Sequence, residues 1–206
     1  MSSEVHSTHD EHRDDFGAKL GMWMFIFTEI LLFGGLFLVY ATYRYKFSAE
    51  FHGASTHLNV FMGTLNTIIL LVSSMTAAMS ITSIQKKDKK LTLILIGITL
   101  FCAAIFMVNK YFEWGAKFEH GLIPGSELML SLKPGTILFF SLYYLMTGLH
   151  GIHIIVGIIL LTICFFKVKN GSVNDTDFVW LENSALYWHL VDLIWIFLFP
   201  LLYLIS

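Results

Sequence analysis

Five long apolar runs divide this chain, and short polar or charged segments separate them. Each run reaches or exceeds the roughly 20 apolar residues that a helix needs to cross a bilayer. In lipid the backbone must satisfy its hydrogen bonds within the segment, and a helix does this. The pattern therefore predicts an all-α fold, a polytopic membrane bundle of five transmembrane helices. The predicted spans cover residues 19–43, 58–84, 91–114, 136–166 and 183–205.

The segments outside the spans leave little material for a second domain. We assign residues 18–206 to one transmembrane domain and residues 1–17 to a polar N-terminal tail. The tail is acidic and holds three histidines, unlike the basic start and short apolar core of a cleavable signal peptide. The first span is therefore expected to act as the insertion signal.

Composition also indicates that lipid is the main solvent of the chain. Mean hydropathy is +0.69, and only 14% of the residues are charged, against about a quarter in a soluble domain. The net charge of -2 does not favour a nucleic-acid partner. Cys102 and Cys164 lie inside apolar runs and form no haem-attachment or paired-cysteine metal motif, so we expect both to be buried as small apolar groups.

The distribution of lysine and arginine predicts an orientation. Five spans place the two termini on opposite sides of the membrane. The N-terminal side carries eight basic residues, four of them in the turn at residues 85–90, and the other side carries five. Because cytoplasmic loops are enriched in basic residues, the N-terminus is predicted to be cytoplasmic and the C-terminus external.

Several polar side chains lie at positions where the spans predict membrane interior. Such groups normally face the inside of a bundle and have a partner there. Two pairs in the fourth and fifth spans are three residues apart, so each pair shares a helix face. The candidate buried polar positions are Glu29, Asn66, Glu113, His150, His153, His189 and Asp192.

Four interpretations of these residues are open from the sequence. In the first, they hydrogen-bond one another and fix the register of the helices, and we then predict that Glu29 bonds a histidine of the fourth span, His153 in first place. In the second, they form a proton relay, although the sequence reveals no continuous path. In the third, a metal ion is surrounded by Glu29, His150, His153 and Asp192. In the fourth, a lipid or small molecule binds between the helices. No catalytic motif, metal motif or cofactor motif is present, so we assign no catalytic, metal or cofactor residue.

Glycines within the spans suggest where helices approach one another. Small residues let helix backbones come close in a membrane. We expect close packing at Gly34, Gly35, Gly148, Gly151 and Gly157.

Five segments together resemble subunit III of the haem-copper respiratory oxidases. They occur in the family's order, from the first span to the C-terminus. Within them Glu29 matches the family's buried glutamate, and the histidines and aspartate of the fourth and fifth spans match the family's positions. Longer members carry two more helices before the helix with the buried glutamate, so the resemblance is to the short bacterial form. The segments are residues 24–33, 65–71, 110–114, 147–157 and 187–198.

The resemblance implies a non-catalytic subunit of a terminal oxidase of aerobic respiration, in the bacterial cytoplasmic membrane. Oxygen reduction coupled to proton pumping would belong to subunit I, and haem and copper to partner subunits. This chain would contact subunit I directly, assemble with subunit II, hold structural phospholipid and support turnover stability.

Alternatives to this role stay open at the level of sequence. The short form occurs in cytochrome c oxidases and quinol oxidases, and related short proteins accompany nitric oxide reductases. A small transporter would be expected to show an inverted repeat or a helix broken mid-span. An independent membrane haem protein would be expected to carry histidines on two facing helices.

Overall fold

The computed structural model describes residues 15–119 and 121–205. Every regular element in these residues is a helix, which confirms the all-α class. The predicted tail at residues 1–17 falls almost entirely outside the described residues, and the first helix begins at Asp15. The helices are α1 (Asp15–Lys46), α2 (Ser48–Ser55), α3 (Val60–Gln85), α4 (Lys89–Glu119), α5 (Glu127–Leu130), α6 (Pro134–Asn170) and α7 (Val179–Tyr203).

Five of these helices are long and apolar enough to cross a membrane, namely α1, α3, α4, α6 and α7. This confirms the predicted five-span bundle. The two short helices, α2 and α5, lie in the connections between α1 and α3 and between α4 and α6. Neither produces a long apolar run, so hydropathy does not signal them.

Local sequence signals set several helix ends. Asn59 caps α3 by accepting a hydrogen bond from a backbone N–H of the first turn at 3.1 Å. Asp88 accepts a similar bond at 2.9 Å at the start of α4. Such caps satisfy N–H groups that have no partner within the helix. Pro134 begins α6, and Gly171 ends it with a φ of 81°, a left-handed conformation that glycine adopts without steric cost.

Four of the long helices form a closed bundle. Helix α3 packs on α4, α4 on α6, α6 on α7, and α7 on α3. Helix α1 packs against the outside of α6 and α7, and only 11% of its apolar span is buried. The polar groups of the interior are therefore enclosed by α3, α4, α6 and α7, with α1 covering one side.

Small side chains allow α3 and α4 to approach closely. The buried face of α3 carries Ser73, Ala77 and Ser80 at intervals of three or four residues. The facing side of α4 carries Thr99 and Ala103, both fully buried. In a membrane, where burial of apolar surface does not drive helices together, this close packing holds the pair.

The glycines divide into two groups. A Cβ added at Gly157 would lie 2.6 Å from a tryptophan ring carbon of α7, and one at Gly148 would lie 3.3 Å from a tryptophan ring carbon of α4. Close packing is confirmed at these two positions. At Gly34, Gly35 and Gly151 an added Cβ would meet no atom within 4 Å, so the expectation of close packing is wrong there.

Candidate functional site

Glu29, the half-buried acid of α1, has a partner on α6. Nε2 of His153 lies 2.9 Å from Oε2 of Glu29, which confirms the predicted pairing. Nδ1 of the same ring lies 2.8 Å from the carbonyl oxygen of Leu149, one turn earlier. Because a carbonyl oxygen can only accept, Nδ1 donates to Leu149, and a second hydrogen bond joins Nε2 to the carboxyl group of Glu29. The side chains of Glu29 and His153 are 14% and 11% exposed.

Aromatic side chains surround this pair. Phe33 packs edge-on against the His153 ring, with the ring centres 5.4 Å apart. The hydroxyl of Tyr187 donates a hydrogen bond to the carbonyl oxygen of His153 at 3.1 Å. The site thus joins α1, α6 and α7. Because the polar pair lies in apolar surroundings, it gives α1, which buries little of its own surface, a specific attachment to the bundle.

A second polar cluster lies near the C-terminal end of α4. Nζ of Lys110 is 2.9 Å from one carboxylate oxygen of Glu113, and Nζ of Lys117 is 3.2 Å from the other. The hydroxyls of Tyr143 and Tyr203 donate to the same carboxylate at 2.8 and 2.5 Å. All five residues are buried. We call these residues the α4 ion cluster.

The spacing of the three charged residues explains why they meet. Positions 110, 113 and 117 lie on one face of a helix, and the two tyrosines come from α6 and α7. Nζ of Lys110 also lies 5.2 to 5.8 Å from the ring centres of Tyr143, Trp195 and Tyr203, a distance at which an aromatic ring stabilises a cation. Sequence reasoning identified Glu113 but missed the lysines as interior residues. The i, i+3, i+7 spacing was the available signal.

Two further candidate positions have partners on neighbouring helices. The side-chain amide of Asn109 donates to Oδ1 of Asn66 at 2.8 Å and joins α4 to α3. Nδ1 of His189, which is half-buried, lies 2.7 Å from Oγ of Ser74 and joins α7 to α3. These contacts support the interpretation in which interior polar groups fix helix register.

His150 and Asp192 differ from the other candidates. His150 is fully buried and Asp192 nearly so. Neither ring nitrogen of His150 has a hydrogen-bond partner among the described residues, and the Asp192 carboxyl group interacts with the side chain of Ser74 on α3 but makes no hydrogen bond within 3.5 Å. The His150 ring is instead stacked on Trp195, 5.2 Å between ring centres, and meets Phe106 edge-on at 5.7 Å. The expectation that each interior polar group pairs with another is wrong for His150.

The histidines and acids are not gathered around one centre. In residues 15–119 and 121–205, no group of three or more histidine, cysteine, aspartate or glutamate side chains is placed to hold a metal ion. Glu29 and His153 therefore meet without His150 and Asp192. Both cysteines are free and buried, as predicted.

Two cavities adjoin the α4 ion cluster. The larger, of about 710 Å³, is lined by Glu113 and Lys117 together with mainly apolar side chains. The smaller, of about 360 Å³, lies between α4 and α6 and is lined by Lys110, Trp114 and Gly148 among others. Cavities of this size can hold a small molecule or part of a lipid.

Fold and site together define a class: a polytopic membrane helix bundle whose interior polar groups bond mostly to one another across helices. The whole chain, residues 1–206, matches the family model for cytochrome c oxidase subunit III. The chain therefore belongs to the cytochrome c oxidase subunit III family.

Individual relatives agree with this assignment. Cytochrome c oxidase subunit 3 of Thermostichus vulcanus is 31% identical over 96% of this chain and 92% of its own length. The probable quinol oxidase subunit 3 of Staphylococcus saprophyticus is 28% identical over 100% and 98%. Haem-copper oxidase subunit I+III of Aeropyrum pernix is 32% identical over 91% of this chain and 22% of its own length.

These matches confirm the family that the sequence resemblance indicated. The chain functions as subunit III of a haem-copper oxidase, a multi-pass membrane component of an oxidoreductase complex that associates with other oxidase subunits.

Proposed function

We propose that this chain is a non-catalytic subunit that stabilises subunit I of its oxidase by direct contact. The observation that carries the proposal is the pairing of its interior polar groups. Glu29 is bonded to His153, and Glu113 is bonded to two lysines and two tyrosines. These contacts join the side chains to one another and hold neighbouring helices together. Haem and copper, and with them oxygen reduction and proton pumping, belong in this proposal to partner subunits.

Direct contact with subunit I has independent support from a relative. The Aeropyrum pernix protein is named subunit I+III, and this chain is similar to 22% of its length. Two subunits joined in one chain are held near each other, and a separate subunit III is expected to occupy the same place. Contact with subunit II and with further subunits is proposed through the same complex.

Structural phospholipid is the second part of the proposed role. The two cavities beside the α4 ion cluster have mainly apolar walls, and apolar walls in a membrane favour acyl chains. A lipid seated there would fill space that the chain leaves between helices and would support the packing of α4 on α6.

The proposed location is the bacterial cytoplasmic membrane, with the N-terminus in the cytoplasm and the C-terminus outside. The turn between α3 and α4 carries Lys86 and Lys87, and α4 begins with Lys89 and Lys90. Four lysines within five residues at one end of the bundle favour the cytoplasmic side for that end.

Removal of the chain from the assembled oxidase tests the stabilising role. We expect the initial rate of oxygen consumption per haem to stay close to that of the complete complex, because no redox centre leaves with the chain. The time over which activity persists should shorten, and return when the chain is added back. A depleted oxidase with full haem content and no initial activity would contradict a non-catalytic role.

A further inference from the structure

Two segments at the same end of the chain's bundle carry opposite charge. The first is residues 1–14, which lie outside the described residues and which we call the acidic segment. Four of its side chains are acidic and one, Arg13, is basic, so their charge is -3 when its three histidines are neutral. The second is the turn between α3 and α4, which carries four lysines within five residues.

Three of these lysines are exposed and make no ion pair within residues 15–119 and 121–205. We call them the lysine patch: Lys86, Lys89 and Lys90. The fourth, Lys87, is paired with Asp175 at 3.2 Å. The carboxylate of Asp88, between them in sequence, accepts a hydrogen bond from the start of α4 at 2.9 Å. The four lysines and two acids leave a net charge of +2 on this surface.

The start of α1 brings the acidic segment close to the lysine patch. Lys19 and Trp23 of α1 line one cavity of about 280 Å³ together with Ile81 of α3. Helix α1 begins at Asp15, and α3 ends at Gln85, one turn after Ile81. Ten extended residues span roughly 33 Å, several times the roughly 8 to 10 Å between packed helices. The acidic segment can therefore reach the patch.

Other cations at this end of the bundle are fewer or are engaged. Lys19 is paired with Glu182 at 2.7 Å, and Nζ of Lys167 lies 4.3 Å from the ring centre of Trp180. The remaining charged residues of this end are Asp15, Lys169 and Asp177. Among the described residues, the lysine patch is thus the densest group of cations without a counter-charge at this end.

We propose that the acidic segment docks on the lysine patch and that protonation of its histidines releases it. Each exposed ion pair contributes little alone, so the contact depends on several charges together. It also depends on the covalent link to α1, which keeps the acidic segment at a high local concentration beside the patch. The proposal goes beyond the proposed function and is independent of orientation, because both segments lie at the same end of the bundle.

The histidines at positions 6, 9 and 12 make this contact depend on pH. A histidine in water titrates near about pH 6.5, and carboxylates and lysines in water keep their charge on either side of that value. Three protonations would bring the charge of the acidic segment from -3 to zero. A histidine docked beside lysines binds its proton less readily, so the contact is present above about pH 6.5 and is lost as the pH falls.

Anionic lipid headgroups are the competing occupant of the lysine patch, because a membrane surface attracts basic segments. The acidic segment is favoured over them because it is tethered beside the patch and its charge is opposite to that of the patch. The two occupants are distinguished by changing the lipid around the complex.

The test uses the whole purified oxidase complex in nanodiscs of phosphatidylcholine. Spin labels on Ser7→Cys and Gln85→Cys report the distance between the acidic segment and the exposed end of α3. Pulsed electron paramagnetic resonance measures that distance at about pH 7.5 and about pH 5.5, on either side of the histidine range. The complex without introduced cysteines gives the background, and both native cysteines of this chain are buried.

Two sets of variants identify the groups involved. Lys89→Gln with Lys90→Gln weakens the patch, and Lys167→Gln with Lys169→Gln, at the same end of the bundle on α6, is the matched control. In a separate variant, glutamine replaces all three histidines of the acidic segment, which removes the titrating groups and keeps the acids.

We expect a short distance in most parent complexes at about pH 7.5 and a longer, broader distribution at about pH 5.5. At the higher pH, the patch variant should lower the ratio of short to long distances roughly tenfold, the combined effect of two exposed ion pairs. The control variant should match the parent. The histidine variant should keep the short distance at both pH values.

A parent distance that does not change with pH would overturn the proposal, and this comparison needs no change to the lysines. Equal effects of the patch variant and its control would also overturn it. So would loss of the short distance at the higher pH when the nanodiscs contain phosphatidylglycerol, because the patch would then hold lipid headgroups instead. The distance is measured on assembled complexes, so a failure of the stabilising role is distinguishable from a failure of this contact.

Discussion

Glu29 lies near the middle of an apolar helix, where an acidic side chain without a partner costs about 2.5 to 3.5 kcal/mol on insertion scales. Its bond to His153, at 2.9 Å, offsets this cost. It also attaches α1, the long helix that buries least of its apolar span, to α6. At the scale of single residues, the polar groups that have partners on other helices thus act by joining those helices.

Replacement of Glu29 tests this role of the Glu29 and His153 pair. Glu29→Gln can still donate and accept, so it should keep most of the initial oxidase rate and weaken the attachment of the subunit only slightly. Glu29→Ala leaves His153 without its partner and should destabilise the attachment of the subunit by about 1 to 3 kcal/mol. The measurement is subunit content and active lifetime of the complex after detergent treatment.

The neighbouring Thr28 offers a control, because it is exposed and its hydroxyl donates to a backbone carbonyl of its own helix. Thr28→Val should behave as the parent does. Complete loss of initial turnover in fully assembled Glu29→Gln complexes would instead favour an obligate proton-relay role for this residue.

The sequence predicts the Glu29 and His153 pair better than it predicts the α4 ion cluster. A glutamate and a histidine at similar depth on different spans have strong reasons to meet, so their pairing could be predicted. Lys110 and Lys117 resembled ordinary basic residues near a helix end, which usually extend toward water. Their tyrosine partners are 33 and 93 residues from Lys110 along the chain, and nothing local in the sequence indicates such a contact.

At the scale of helices, the bundle is held by close contacts that tolerate little extra volume. The clearest lies between α6 and α7, where a Cβ at Gly157 would come within 2.6 Å of the Trp188 ring. That ring cannot shift freely, because its Nε1 donates to Oγ of Ser73 on α3 at 3.0 Å. The glycine therefore sets the distance between three helices.

Gly157→Ala is expected to destabilise the chain by about 1 to 3 kcal/mol, the usual cost of overpacking. Gly151→Ala on the same helix is a matched control, since an added Cβ there meets no atom within 4 Å. The measurement is the temperature at which this subunit is released from the complex on heating. Equal effects of the two substitutions would show that α6 and α7 do not meet as described.

Hydropathy predicted the number and order of the long helices because lipid imposes a minimum apolar length on each span. Their ends follow from other causes. The caps at Asn59 and Asp88 and the proline at the start of α6 are short-range features that a hydropathy pattern does not resolve. The pairing of small faces on α3 and α4 depends on which helices become neighbours, and composition alone does not determine that.

At the scale of the whole molecule, the charge bias makes a claim about orientation that single-cysteine labelling can test. Lys86→Cys lies in the exposed turn between α3 and α4, and Lys133→Cys lies at the opposite end of the bundle, also exposed. With an impermeant maleimide on intact cells, Lys133→Cys should react, and Lys86→Cys should react only after permeabilisation.

The parent chain controls for background in this labelling, because its two cysteines are buried. If Lys86→Cys reacts in intact cells and Lys133→Cys does not, the orientation is opposite to the one proposed. Neither result would change the fold, since the bundle packs in the same way in either orientation.

The central proposal is that this chain, a subunit III, works beside a larger haem-copper subunit and has no redox centre of its own. Purification of the tagged chain from native membranes, with subunit quantification and a haem spectrum, tests it most directly. The account predicts a larger membrane subunit in near-equal amount, together with a haem spectrum that is lost when this chain is separated from it. Recovery of a stable chain alone, or a haem spectrum from the isolated chain, would contradict the account.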